Sequence, residues 1–321
     1  MLAFLLALTA LLTFGCGKEP SVQPNVPQGL SRAPETTGNK EHLLVYYAAQ
    51  KGDYLVPINV TVTPNQDVIR VAVEKLLAGP GNDFADRVLP EETKLRDAYL
   101  SQGGDQAVVD LTGEFAQLPD AEMVKKALDA MALTLAENTS VKSVQVLVTG
   151  APLEDFHGFD LTQPWPVGQV NPVTRDGAQY PVQVYYSDSN AMFLVPLTFD
   201  AGLESAKEQM EYAINKLLEG PEEDSGLMAV INPKTKLLSL SWDAAAGLVT
   251  LNLSSDALEY GGGSTAELML VNSLSYTVQQ FSGVRYLKLL FDGEEVNLLP
   301  EGTDLTKPLE LPRLINPAPQ F

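Results

Sequence analysis

Val45-Tyr46-Tyr47, Leu55-Val56-Pro57 and Lys75-Leu76-Leu77-Ala78-Gly79-Pro80 come back in the same order as Val184-Tyr185-Tyr186, Leu194-Val195-Pro196 and Lys216-Leu217-Leu218-Glu219-Gly220-Pro221. Further out, Thr93-Lys94-Leu95 returns as Thr235-Lys236-Leu237 and Asp160-Leu161-Thr162 as Asp304-Leu305-Thr306, while the offset drifts from 139 to 144 residues. That period is far longer than a solenoid unit, so ordered matches with small insertions imply duplication of a whole domain. The chain carries two homologous modules, and its function is something two similar surfaces do.

The same elements are expected in each copy. Residues 43–47 and 182–186 are short β-branched and aromatic runs, and residues 54–62 and 192–199 give the next strand. A helix follows, with Val68, Ala72, Val73, Leu76 and Leu77 on one face, matched by Met210, Ala213, Ile214, Leu217 and Leu218. Both helices stop at Gly-Pro, where glycine takes the left-handed cap and proline cannot extend the helix. A hairpin is expected over 94–111 and over 237–253, then a second helix, then closing strands at 144–148 and 287–291. The order β-β-α-β-β-α-β predicts an α+β fold, two helices packing on one face of a mixed sheet in each module. Alternation along a strand places Tyr46 and Tyr47 on opposite faces, as it does Tyr185 and Tyr186, so one of each pair is expected to point outward.

The ends and joints divide the chain. Residues 2–14 are uncharged and almost wholly apolar, and too short to span a bilayer stably. They lead into Cys16, the only cysteine. Residues 1–16 thus resemble the signal peptide and lipobox of bacterial lipoproteins, which implies acylation of Cys16, a membrane anchor through its lipid, and an extracytoplasmic body at the outer face of the membrane. Thr13 stands where that pattern favours leucine, and the basic start is missing. Residues 17–40 are expected to be a disordered tether, 41–166 the first module with its tail, 167–181 a linker, 182–310 the second module with its tail, and 311–321 a loose end.

Composition excludes several functions. The formal net charge is -20, which repels nucleic acid and anionic lipid or wall polymers, so no nucleic-acid partner is expected. With a single cysteine there is no internal disulfide. Catalytic supply is thin: His42 and His157 have no counterparts in the other copy, and neither nucleophile-elbow nor zinc motifs occur. Glu222-Glu223-Asp224 lacks the spacing of a calcium loop, and Gly261-Gly262-Gly263-Ser264 lacks the lysine of a phosphate loop. No cofactor, metal or catalytic residue is expected. The candidate interaction surface consists of the aromatics Tyr46, Tyr47, Tyr185, Tyr186 and Trp242, able to anchor a protein interface or, alternatively, to stack on peptidoglycan or another carbohydrate.

The shared residues resemble the GerMN domain: Val-Tyr-Tyr, Leu-Val-Pro, Leu-Leu-x-Gly-Pro, then Thr-Lys-Leu within Pro90-Glu91-Glu92-Thr93-Lys94-Leu95 and Pro233-Lys234-Thr235-Lys236-Leu237, and a closing strand ending in glycine. The likeness covers roughly residues 43–150 and 182–293. Two such domains behind a lipobox are similar to the sporulation and germination lipoproteins of endospore-forming bacteria. That resemblance implies a non-enzymatic, lipid-anchored envelope protein that helps hold a membrane-protein complex, with no catalytic residues to carry over.

Overall fold

In this computed structural model, residues 37–38, 40–174 and 176–318 are described; the leader, Cys16 and most of 17–40 lie outside them. Module one runs β1 (His42–Ala49), β2 (Leu55–Thr61), α1 (Val68–Ala78), β3 (Leu95–Leu100), β4 (Gln106–Leu111), α2 (Ala121–Asn138) and β5 (Ser143–Val148). Module two repeats the order as β6 (Pro181–Asp188), β7 (Leu194–Asp200), α3 (Ala206–Glu219), β8 (Leu237–Asp243), β9 (Leu248–Leu253), α4 (Gly263–Gln279) and β10 (Tyr286–Phe291). The α+β class and the two homologous modules stand as read from the sequence.

The strands of each module divide between two sheets. β1 and β2 pair antiparallel, and Ala85–Asp86 extends the far side of β1. β3 and β4 form a hairpin, and β5 joins β4 in parallel through the α2 crossover, as a parallel pair requires. Module two repeats this with β6 and β7, and with β8, β9 and β10. α1 packs on both β1 and β3, and α2 lies against β1, β5 and α1.

Local chemistry sets the helix ends. Asp67 accepts from the N–H of Ile69 and Arg70, Asp120 from Met123, and Ser205 from Glu208, so three of the four α-helices among the described residues start on a side-chain cap. At the other end Gly79 and Gly220 sit at φ 82° and 81°, conformations that need glycine. The second tyrosine of each pair completes the stop: the Tyr47 hydroxyl donates to the Lys75 carbonyl at 2.8 Å and that of Tyr186 to the Lys216 carbonyl at 2.7 Å. Val-Tyr-Tyr and Leu-Leu-x-Gly-Pro are therefore two halves of one device, which satisfies a last-turn carbonyl that would otherwise lack a partner.

Each tail folds back on its module. Trp165–Pro166 pairs antiparallel with Ser143 and Val144 of β5, and Leu309–Glu310 does the same with Tyr286 and Leu287 of β10. The echoed Asp-Leu-Thr makes the same turn twice, with Thr162 bonded through N–H and hydroxyl to Asp160, and Thr306 to Asp304. Before the first module, Thr37–Gly38 pairs with Gln66–Asp67, so the end of the segment expected to be a disordered tether is ordered strand.

Candidate functional site

The modules meet along β2 and β7, the two copies of Leu-Val-Pro. Proline has no N–H to give a ladder and belongs on a strand edge. Pro57 and Pro196 each turn a carbonyl outward from that edge, and each is met by an asparagine from a tail. Asn316 donates to the Pro57 carbonyl at 2.8 Å and to the Leu194 carbonyl at 2.7 Å, and accepts from the Leu194 N–H at 2.8 Å. Asn171 donates to Pro196 at 2.7 Å and to Leu55 at 2.8 Å, and accepts from the Leu55 N–H at 2.8 Å.

The backbone repeats the exchange. Asn171 and Pro172 of the first tail lie beside Thr198 of β7, while Asn316 and Pro317 of the second lie beside Asn59 of β2. Thr198 and Asn59 are equivalent residues, and their side chains donate to the Val170 and Ile315 carbonyls respectively. Asn171 and Asn316 sit at φ 43° and 45°, a left-handed conformation asparagine tolerates better than most residues. Each tail thus adds to a strand of the other module, about an approximate twofold axis. This corrects two expectations: 167–181 is not only a linker, and the 311–321 segment is not loose at Ile315 and Asn316, which are both buried.

The candidate aromatics are placed differently from the expectation. Tyr46, Tyr47 and Tyr186 are 4%, 1% and 1% exposed, so these three are not a recognition surface. The alternation of faces was sound, but both faces of β1 are covered, one by helices and the other at the seam. Tyr46 and Tyr185 line a seam cavity of about 350 Å³ with Pro57, Pro196, Glu137 and Tyr276. Tyr185 is half-buried, its hydroxyl bonded to Gln183 at 2.6 Å and its ring tilted against Tyr276 at 5.5 Å. Burial, then the nearby Glu137 carboxylate, drives the Tyr46 pKa up. Desolvation also raises that of Glu137, against the opposing hydrogen bond from Tyr46 and the charge of Lys40. Trp242 is half-buried on β8, with its indole N–H enclosed. Cys16 lies outside the described residues.

A larger cleft of about 970 Å³ opens between α2 and the end of α3. Its lysines are paired: Lys126 with Asp53 at 2.5 Å, Lys125 with Asp129 at 2.5 Å and Lys216 with Glu219 at 2.6 Å. Glu222, Glu223 and Asp224 are exposed in the adjoining loop, and no cluster of three or more metal-ligating side chains occurs among the described residues. Among those residues, too, no helix is long and apolar enough to cross a membrane.

The residues missed from sequence are the two latching asparagines. Their signal was present, since Val170-Asn171-Pro172 returns as Ile315-Asn316-Pro317 at an offset of 145, continuing the drift.

Two equivalent α+β units that trade tails across a shared seam define a tandem-repeat protein whose duplicated side chains serve the fold. The chain belongs to the Germane family, described as sporulation and spore germination, whose model matches residues 44–154 and again 183–297. It is 24% identical over 286 residues to the spore germination protein GerM of Bacillus subtilis (strain 168), covering 84% of this chain and 77% of that one. The solved tandem GerMN domains of the sporulation protein GerM from Bacillus subtilis match it in fold with a TM-score of 0.62 at 22% identity, covering 86% of this chain and 100% of theirs.

Proposed function

We propose that this protein is a lipid-anchored, non-enzymatic scaffold of the cell envelope, working in sporulation and spore germination by holding other envelope proteins at the outer face of the membrane. The family supports the process, and the leader ending in Cys16 supports the anchor. The observation that carries the binding reading is what the duplication kept. The tyrosine caps, the Leu-Val-Pro edges and the asparagine latches all serve to build one two-module body, while the histidines and acidic runs are private to one copy. Two modules on one anchor raise the local concentration for a second contact without new chemistry. The carbohydrate alternative loses three of its five aromatics, because Tyr46, Tyr47 and Tyr186 offer no open ring face, which leaves the half-buried Tyr185, packed on Tyr276, and Trp242.

Two measurements test this reading. Cys16→Ala should release the protein from the membrane fraction; continued attachment would refute the lipid anchor. Crosslinking of the wild type in intact cells, followed by purification, should recover a defined envelope protein in stoichiometric amount. Recovery of none, together with sedimentation on purified cell wall, would replace the scaffold with a wall-binding protein.

A further inference from the structure

We propose that β8 is a docking edge that takes up, as an added strand, an extended segment of a partner protein that carries lysine or arginine at the end lying beside Asp243. This rests on the scaffold reading and names the surface and the chemistry of the partner. β8 lies at the end of its sheet, with β9 on one side and no strand among the described residues on the other. An open edge presents a row of backbone donors and acceptors, and proteins ordinarily guard it with charges, cover or brevity.

The equivalent edge of module one is guarded. β3 carries Arg96 and Asp97 at its bulge, with Arg70 paired to Asp97 at 2.9 Å and Arg96 to Asp110 at 3.6 Å. At the same bulge β8 carries Leu238 and Ser239, and Asn252 stands in place of Asp110. Leu238 is 49% exposed, and Ser239, Ser241 and Asp243 are exposed as well, whereas Arg96 alone is exposed along β3. The seven residues of β8 hold one charge, Asp243 at the end.

The pleat defines what fits. Leu240 and Trp242 stand opposite Leu251 and Val249 and face the core, so apolar residues beside them in an added strand would prolong that core. Ser239 and Ser241 face outward and leave room for longer side chains. Affinity in this mode comes from main-chain hydrogen bonds and selectivity from alternate side chains. Charge decides the flanks unequally: Asp243 ends the strand and Glu208 lies on α3, which packs against β8, whereas Lys234 and Lys236 precede Leu237 at the other end and Glu211 is paired with Lys207 at 3.6 Å; the whole chain carries -20. The Asp243 end attracts a basic residue, and the overall charge opposes a second copy of the same chain.

The test uses the chain from Gly17 onward and a nine-residue peptide of alternating valine and threonine with lysine at both ends, beside a twin ended by glutamate. Amide hydrogen exchange should slow within residues 238–242 on adding the lysine peptide. Affinity should fall at least tenfold in L238R/S239D, which imports the charges of module one, and in the milder S239K; thermal unfolding confirms that both fold. The glutamate twin should bind at least fivefold more weakly. No protection at millimolar peptide overturns the proposal, as does equal binding of the twin. Protection in the free protein that rises with its own concentration and vanishes in L238R/S239D makes a second copy the occupant and also overturns it. An envelope partner captured equally by wild type and L238R/S239D removes the docking edge while leaving the scaffold intact. A wild type that captures none removes the scaffold itself, whatever the peptide does.

Discussion

The two modules hold their tails by opposite means. Module one uses rings: Phe115 lies 5.7 Å from Phe156, Phe159 meets Trp165 edge-on at 5.4 Å, and the Trp165 indole donates to Asp129 at 2.9 Å. Module two uses a buried carboxylate. Glu267, 3% exposed, accepts from the hydroxyls of Tyr260 and Thr303 and from the backbone N–H of Glu301 and Thr303. The same turn and the same returning strand thus rest on apolar packing in one copy and on a saturated anion in the other. Duplication preserved the task and let its chemistry diverge, whereas at the seam the asparagines and prolines stayed matched because each serves both modules.

That contrast can be broken at the seam first. Asn316→Ala removes three hydrogen bonds and leaves the Leu194 N–H and two carbonyls without partners in a buried place. A loss of about 3 kcal/mol is expected, since each unsatisfied buried group costs on the order of 1–3 kcal/mol. Asn171→Ala should cost less, because Asn171 is only half-buried. Urea unfolding of the two variants checks both.

Glu267→Gln sharpens the comparison inside the modules. The amide keeps the shape but turns a donor toward donors, so about 2 kcal/mol should be lost, and hydrogen exchange should place the loss in module two. Acid should do the same to the wild type. Burial pushes the Glu267 pKa up, but the hydroxyls of Thr303 and Tyr260 and the backbone donors outweigh it, and the net shift is downward. A carboxyl with a lowered folded pKa contributes fully above its unfolded value of about 4.3, and the contribution is lost as pH falls from there through the folded pKa. Glu137 is raised, but it lies at the seam, where its protonation on acidification favours the folded form. Below about pH 4 the tail of module two should open before that of module one, because Glu267 holds the first while ring packing at Phe115, Phe156 and Phe159 holds the second, and amide exchange at the two tails would report it.

Tyr47→Phe and Tyr186→Phe should each cost about 1 kcal/mol, and by the same amount, because both remove one hydroxyl from one last-turn carbonyl. Unequal losses would mean that the caps, too, have diverged. The smallest effect is expected for Arg96→Ala, about 0.5 kcal/mol, since its pair with Asp110 is partly exposed at the Arg96 end.

Periodicity made much of this legible. The apolar faces of all four helices, the Gly-Pro stops and the crossover order follow from spacing, because helix and strand periods are set by backbone geometry. The tyrosines misled because alternation tells which faces a strand has, not what covers them: Tyr46 is enclosed only when a second module closes on β1. The asparagines escaped for a related reason. Their hydrogen bonds join Asn316 to Pro57 and Asn171 to Pro196, contacts between distant parts of the chain that no local pattern encodes. Only the echo of Asn-Pro in segments otherwise rich in turn residues hinted at them. Glu267 has no mark in sequence at all, since its burial depends on the loop at Thr303 folding over it.

The traded tails fuse two modules into one body, and calorimetry of the chain from Gly17 onward reads this out. A single cooperative unfolding transition is expected in the wild type, splitting into two when Asn171→Ala and Asn316→Ala are combined. Two independent transitions in the wild type, unchanged by the double substitution, would contradict it.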